Sequence, residues 1–242
     1  MIKKIFCIFG IILLPCYLLV MYVLLGKSAN QVICQEVSIH ILDSLDAPYL
    51  QKSDVLSLIK DQRKQMMGRA FYLIDTYEVE QLVRKNPVVR DVSCYKTPEG
   101  SIRIDITQRA PIIRIMGLSG NYFMDAEGAT MPVTHNYTAH VPIVTGYVTP
   151  ELAQGDLLDF ACFLQENAFW QAQIMQIHIH ANGEVDLTPR VGRHRIILGS
   201  FDQYETKLEN LMTFYDKGLN EKGWNVYKAI NLKYENQVIG IK

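Results

Sequence analysis

Residues 88–107 read VVRDVSCYKTPEGSIRIDIT, and the closing SIRIDIT decides the fold of the first half of the chain. Ile102, Ile104 and Ile106 face one way; Arg103, Asp105 and Thr107 face the other. A period of two marks a half-buried strand, because successive side chains leave a strand on opposite faces. Thr97-Pro98-Glu99-Gly100 has turn chemistry, and Val88–Tyr95 before it reads as the preceding strand.

Working outward, Asp75 stands before Val79, Leu82 and Val83, with Glu78 three residues on, a capping-box pattern at the start of an amphipathic helix. Asn86-Pro87 stops that helix. Ser53 reads as the N-cap of a shorter helix, Asp54–Lys60, carrying Val55, Leu58 and Ile59. Val32–Leu42, with Val37, Ile39 and Ile41 on one face, supplies a first strand. The order is β-α-α-β-β. One apolar sheet face and two helices to cover it suffice for a small two-layer domain, placed at residues 35–108.

Past Gln108 the chain breaks into short strands at Ile112–Met116, Tyr122–Met124, Val133 and Val141–Val144. Asp125-Ala126-Glu127-Gly128 and Asn182-Gly183 are hairpin turns, the second joining Ile174–His180 to Glu184–Leu187. Helices are expected at Asp156–Asn167 and Gln203–Lys217. The latter carries Tyr204, Leu208, Leu211, Met212 and Tyr215 on one stripe and is stopped by Gly218. Arg195–Leu198, Ile230–Tyr234 and Gln237–Ile241 are further strands. Residues 109–242 are therefore expected to form an α+β domain around a mostly antiparallel sheet with flanking helices.

Ile5–Gly26 is a run of 22 uncharged residues. As a helix it spans about 33 Å, close to the ~30 Å hydrocarbon core of a bilayer. A signal peptide would have a shorter apolar region and a small-residue cleavage site, and Gly26-Lys27-Ser28-Ala29-Asn30 is a poor one. Leu13-Leu14-Pro15-Cys16 makes a poor lipoprotein box, since Pro precedes the Cys. The expectation is a retained transmembrane helix over 5–26, a cytoplasmic stub of residues 1–4, and a linker over 27–34. Lys3, Lys4 and the terminal amine place the N-terminus inside. The part beyond the membrane then carries 22 positive and 25 negative residues, a net of −3.

The whole chain has 24 Lys+Arg against 25 Asp+Glu, which excludes a strongly basic nucleic-acid binder. Of the five cysteines, Cys7 and Cys16 fall in the apolar run. Cys34, Cys94 and Cys162 show neither a disulfide framework nor zinc spacing. Cys94 and Cys162 sit in apolar patterns as small hydrophobes, and Cys34 could pair in an oxidising compartment. His178-Ile179-His180 puts two imidazoles on one strand face, half of a metal site without a third ligand, so a solvated hairpin face is the better reading. Arg193 and Arg195 surround His194 with positive charge. Asp105 and Asp125 lie on a strand and in a turn, with nothing to make either catalytic. No P-loop, nucleophile elbow, H-E-x-x-H or G-x-G-x-x-G occurs. Catalytic, cofactor and metal residues are all read as none, which favours a binding or scaffold protein over an enzyme.

The stretches Phe71–Asp75 and Val83–Val92, then Ile102–Ile106 running into Gln108-Arg109-Ala110-Pro111-Ile112-Ile113-Arg114-Ile115, resemble the POTRA module of the FtsQ/DivIB bacterial cell-division family. Tyr122-Phe123-Met124-Asp125-Ala126-Glu127-Gly128 is similar to the start of that family's β domain. Val141–Gly146 is similar to that domain's next segment, and Ile196–Gly199 before a helix and Ile230–Tyr234 are similar to its C-terminal part. The resemblance runs in order along residues 1–242.

It implies a non-enzymatic, single-pass adaptor of the inner membrane at the division septum. The POTRA domain would occupy 35–108 and the β domain 109–242. The implied partners are FtsB/DivIC-type and FtsL-type single-span coiled-coil proteins and other membrane proteins of the division machinery, with no nucleic acid or small-molecule substrate. The implied contact is strand addition near the C-terminus, through Tyr234, Asn236, Val238 and Ile239, with Leu232 setting the register. The competing classes are a POTRA-bearing secretion or assembly component, an anchored cell-wall enzyme and an anchored sensor. The first would show POTRA repeats or barrel strands, and the second a nucleophile or metal constellation. The third would need a cytoplasmic end longer than four residues.

Overall fold

The computed structural model describes residues 13–22, 32–43, 49–118, 120–134, 137–220, 223–234 and 237–242. These fall into two units, the first comprising Met1–Leu45 and Leu50–Gln108, the second Asp46–Tyr49 and Arg109–Lys242.

The alternation of SIRIDIT translates directly into the first unit. Ile102, Ile104 and Ile106 are fully buried in β3 (Ser101–Gln108), and burying one such side chain contributes ~1.5–3 kcal/mol. β3 is the central strand, parallel to β1 (Glu36–Ile41) and antiparallel to β2 (Val89–Lys96). The helices α2 (Lys52–Leu58), α3 (Lys60–Met66) and α4 (Thr76–Arg84) bring Val55, Ile59, Met66, Val79 and Val83 into the core. Asp75 caps α4 as expected, its Oδ1 accepting from Tyr77 N–H at 2.9 Å. The cap of α2 differs: it is Gln51, whose N–H donates to the Asp54 carboxylate at 3.0 Å, and Ser53 lies inside the helix. The main chain also continues helically through Ile59, with Arg63 N–H donating to Ile59 C=O at 2.8 Å, so this arm is longer than the expected Asp54–Lys60.

The expected span over 5–26 is described only at α1 (residues 13–22). Ten helical residues reach about 15 Å, half of the hydrocarbon core. Among the described residues no helix is long and apolar enough to cross a membrane. Residues 5–12 and 23–26 of the expected span, the stub 1–4 and most of the linker lie outside the described residues.

The second unit contains β4 (Pro111–Gly117), β5 (Gly120–Asp125), β6 (Thr130–Pro132), β7 (Ile143–Gly146), β8 (Ile174–Ile179), β9 (Val185–Pro189), β10 (Arg195–Gly199), β11 (Ala229–Asn231) and β12 (Ile239–Ile241). Its helices are α5 (Pro150–Gln154), α6 (Asp156–Glu166), α7 (Ala168–Gln173) and α8 (Tyr204–Phe214). The described strands form one sheet in the order β12-β11-β10-β9-β8-β7-β4-β5-β6. Five of its eight strand pairings are antiparallel, as expected, and the other three, β4–β7, β7–β8 and β10–β11, are parallel, so the sheet is mixed. Parallel neighbours need a crossover. The helices α5 to α7 provide it between β7 and β8, and α8 between β10 and β11.

One row of side chains runs across six strands: Ile115, Val144, Ile177, Leu187, Ile196 and Ile230, each at 0% exposure. Leu157, Phe160 and Leu164 of α6, with Leu208 and Leu211 of α8, complete the core on that face. After α8 the chain does not stop at Gly218. It widens into a π turn, Tyr215–Leu219, which brings both end residues to 1% exposure.

Two short segments hold this unit in register. Asp125 sits 1% exposed at the end of β5. Its Oδ1 accepts from Glu127 N–H at 3.1 Å and Ala129 N–H at 2.7 Å, and its Oδ2 lies 2.7 Å from the Arg109 guanidinium. β7 ends at Gly146, with φ +95°, where a Cβ would overlap the carbonyl oxygen of Ile179 in β8.

His194 is buried, while its sequence neighbours Arg193 and Arg195 are exposed. It is 2% exposed, its Nε2 is 2.9 Å from the Tyr215 hydroxyl, and its ring lies beside Trp224. Burial holds this imidazole below its ordinary pKa. The unfolded chain, near pKa 6.5, takes up the proton first. The stability that neutral His194 contributes is therefore complete above about pH 6.5 and is lost as pH falls through the lowered folded value. Urea midpoints at pH 7.5 and 5.5 should differ less for His194→Gln than for the parent chain; an unchanged difference would refute the assignment.

Candidate functional site

β12 closes one end of the sheet and pairs, among the described residues, only with β11. Its outer side therefore carries main-chain groups without a strand partner, a template for an added strand. Ile239 is 40% exposed and Ile241 42%. Gly240 between them faces the other way, beneath the ring of Tyr227, where a Cβ would meet ring carbons at 2.5 Å. The ring takes the place of a side chain on Gly240 and holds the strand to the unit.

A groove of about 300 Å3 lies between the polar side of α8 and the segment joining β11 to β12. One wall is Gln203, Thr206, Lys207 and Asn210; the other is Leu232, Tyr234 and Gln237. Gln203 has φ +53° and ψ 30°, the one positive φ at a non-glycine among the described residues. Such a conformation costs of order 1–3 kcal/mol and collects at functional positions. Lys207 donates to Ser200 C=O at 2.9 Å, and burial holds its ammonium below the ordinary lysine pKa. An anionic group entering the groove would favour the charged amine.

The expected contact residues take different places. Tyr234 is 58% exposed and lines the groove. Ile239 is on the terminal strand. Val238 is half-buried against the core. Leu232 is 1% exposed, its N–H donating to Ile197 C=O at 2.9 Å, so it fixes the chain beside β10 while its side chain belongs to the core. Asn236 lies outside the described residues. Sequence reasoning passed over Gln203, Thr206, Lys207 and Asn210. Their signal was available, since they form the polar stripe complementary to Tyr204, Leu208, Leu211, Met212 and Tyr215.

The remaining chemical candidates have structural occupations. His178 Nδ1 is 2.9 Å from the Thr145 hydroxyl, and His180 Nε2 is 2.7 Å from the Asp186 carboxylate, which also lies 3.3 Å from Arg195. No group of three or more His, Cys, Asp or Glu among the described residues could hold a metal ion. Asp105 accepts from Tyr95 OH and Arg103 Nε, each at 2.8 Å. Cys34, Cys94 and Cys162 are free thiols. Burial, reinforced by Glu80, pushes the Cys94 thiol up to about 12, which makes it a poor nucleophile.

Two family models match the chain. One, described as POTRA-like domain, covers residues 32–107; the other, described as FtsQ/DivIB, C-terminal related, covers residues 110–240. A similar protein is the cell division protein FtsQ of Rhodothermus marinus, 26% identical over 186 residues, with 71% of this chain and 67% of that protein covered. With more than half of its length matched by that second model, in the order POTRA-like domain then mixed sheet, the chain belongs to the FtsQ/DivIB family.

Proposed function

We propose that this chain is a non-enzymatic adaptor of the bacterial cell-division machinery and that it receives a partner strand along the free side of β12. In this reading residues 5–26 cross the inner membrane once, with the N-terminus in the cytoplasm. The POTRA domain (35–108) and the β domain (109–242) work outside, at the septum. The partner is a single-span coiled-coil protein of the FtsB/DivIC type, bound together with an FtsL-type protein, and the assembly links to septal peptidoglycan synthesis.

The observation that carries the reading is the one-sided pairing of β12 beside a groove with an exposed aromatic. Main-chain hydrogen bonds along the edge supply affinity, and side-chain pockets supply selection. Tyr234 is the anchor, since aromatic side chains concentrate interface energy. Its truncation to alanine should weaken partner binding by about 2 kcal/mol, roughly thirtyfold, with the fold intact.

The test is photo-crosslinking in living cells from position Ile239. Capture of a small single-span coiled-coil protein supports the adaptor reading. An intramolecular product, or none, from a folded chain refutes strand addition at this edge. Full partner affinity in Tyr234→Ala refutes the anchor role alone.

A further inference from the structure

The helical arm of α2 and α3 carries a second surface that the division reading does not use. Leu56, Lys60, Arg63, Lys64 and Met67 surround a shallow depression of about 470 Å3. Their spacing, i, i+4, i+7, i+8 and i+11, puts them on one helical face. The core side of the same arm is Val55, Ile59 and Met66, so this face is not needed to hold the unit together. Met67 is 42% exposed. Lys60, Arg63 and Lys64 have no ion-pair partner among the described residues. The two acidic residues of the arm do not neutralise them. Asp54 is engaged by the Gln51 N–H, and no ion pair joins Asp61 to these cations among the described residues.

Three cations around an apolar floor fit a bilayer surface. Ammonium and guanidinium groups meet headgroup phosphates, while methionine and leucine enter the boundary with the acyl chains. Chain length adds a constraint. Nine residues, 23–31, separate α1 from the first described residue of the unit, Val32. That connection reaches at most about 35 Å. A unit tethered so closely to a membrane-spanning segment stays within reach of the headgroups.

We propose that the Leu56–Met67 face adsorbs to an anionic phospholipid surface, on the side of the membrane where the POTRA domain lies. The proposal rests on the single-span reading of residues 5–26. Each basic side chain near an anionic surface strengthens adsorption roughly fivefold.

The test uses the full chain in lipid nanodiscs, with a benzophenone amino acid at Met67 in one variant and at Leu19 in another. Discs contain phosphatidylcholine alone or phosphatidylcholine with phosphatidylglycerol, and lipid adducts are quantified by mass spectrometry. The expected result is a lipid adduct at Met67 in the anionic discs, at least tenfold weaker in neutral discs and in high salt. It should also be at least tenfold weaker in Lys60→Glu/Arg63→Glu/Lys64→Glu. If that triple variant does not fold, the lipid and salt comparisons on the parent charges decide. No adduct at Met67 in anionic discs overturns the proposal, as does an equal yield in neutral discs. A protein adduct in living cells without a lipid adduct also overturns it, and identifies the face as a site for an acidic protein. The Leu19 probe is read separately: its failure to reach lipid overturns the anchor reading, whatever Met67 reports.

Discussion

Gly146→Ala is expected to destabilise the second unit by about 3–5 kcal/mol, a sum of backbone strain and overpacking. Gly146 closes β7 at φ +95°, and the missing side chain is what lets the Ile179 carbonyl of β8 approach. The clash is with main chain, so it is relieved only by moving β8, a strand that Ile177 and Ile179 pin to the core. Against a typical total stability of 5–15 kcal/mol such a loss is severe. Gly183 supplies the comparison. It has φ +82°, but nothing lies within 4 Å of its Cβ position, so Gly183→Ala should cost only about 1 kcal/mol. Urea unfolding of the two variants measures the difference. Equal midpoints would mean that the strand contact carries no weight.

Asp125→Ala should cost a comparable amount, about 3–5 kcal/mol, because it strands the groups that the carboxylate satisfies. Two backbone N–H groups of the β5–β6 turn lose their acceptor, and the Arg109 guanidinium, with 22% of its side chain exposed, loses its closest anion. Asp125→Asn keeps an oxygen for the turn and loses only the ion pair, so it should retain roughly half of that stability. A double-mutant cycle with Arg109→Ala separates the two contributions. Additivity between Asp125→Ala and Arg109→Ala would show that the pair is not coupled. This arrangement also explains the spacing in Asp125-Ala126-Glu127-Gly128. The aspartate organises the turn, and Gly128, at φ +76°, completes it with its carbonyl accepting from Gln154 at 2.9 Å.

Where local chemistry alone determines an element, the sequence is sufficient. SIRIDIT forms a strand with three fully buried isoleucines, and Asp75 caps its helix. Asn182-Gly183 turns its hairpin, with Asn182 Oδ1 accepting from Glu184 N–H at 3.1 Å. Other elements are less legible. The helix expected over Asp156–Asn167 is α6, with Asn167 as its C-cap, but the Asn167 side chain also accepts from Phe169 and Trp170 N–H and begins α7, a helix absent from the sequence reading. α5 is likewise absent from the sequence reading, although Thr149 caps it in front of Pro150. β7 is four residues long, and nothing in Ile-Val-Thr-Gly says that both of its neighbours run parallel. That information resides in the crossover helices. The groove was half visible for the same reason. Tyr234 stands out as an aromatic near an edge, but the wall opposite it comes from α8, some thirty residues earlier, and only the tertiary fold brings the two together.

The two ends of the nine-stranded sheet are unequal. β6, at one end, is three residues long and finishes in Pro132, which has no N–H to offer a further strand. β12, at the other, reads Ile-Gly-Ile and keeps its donors. A sheet receptive at both ends can stack copy upon copy into an open fibre, since a head-to-tail contact that does not close has no natural length. An end-to-end contact from β12 of one copy to β6 of the next would meet Pro132, which has no N–H to give.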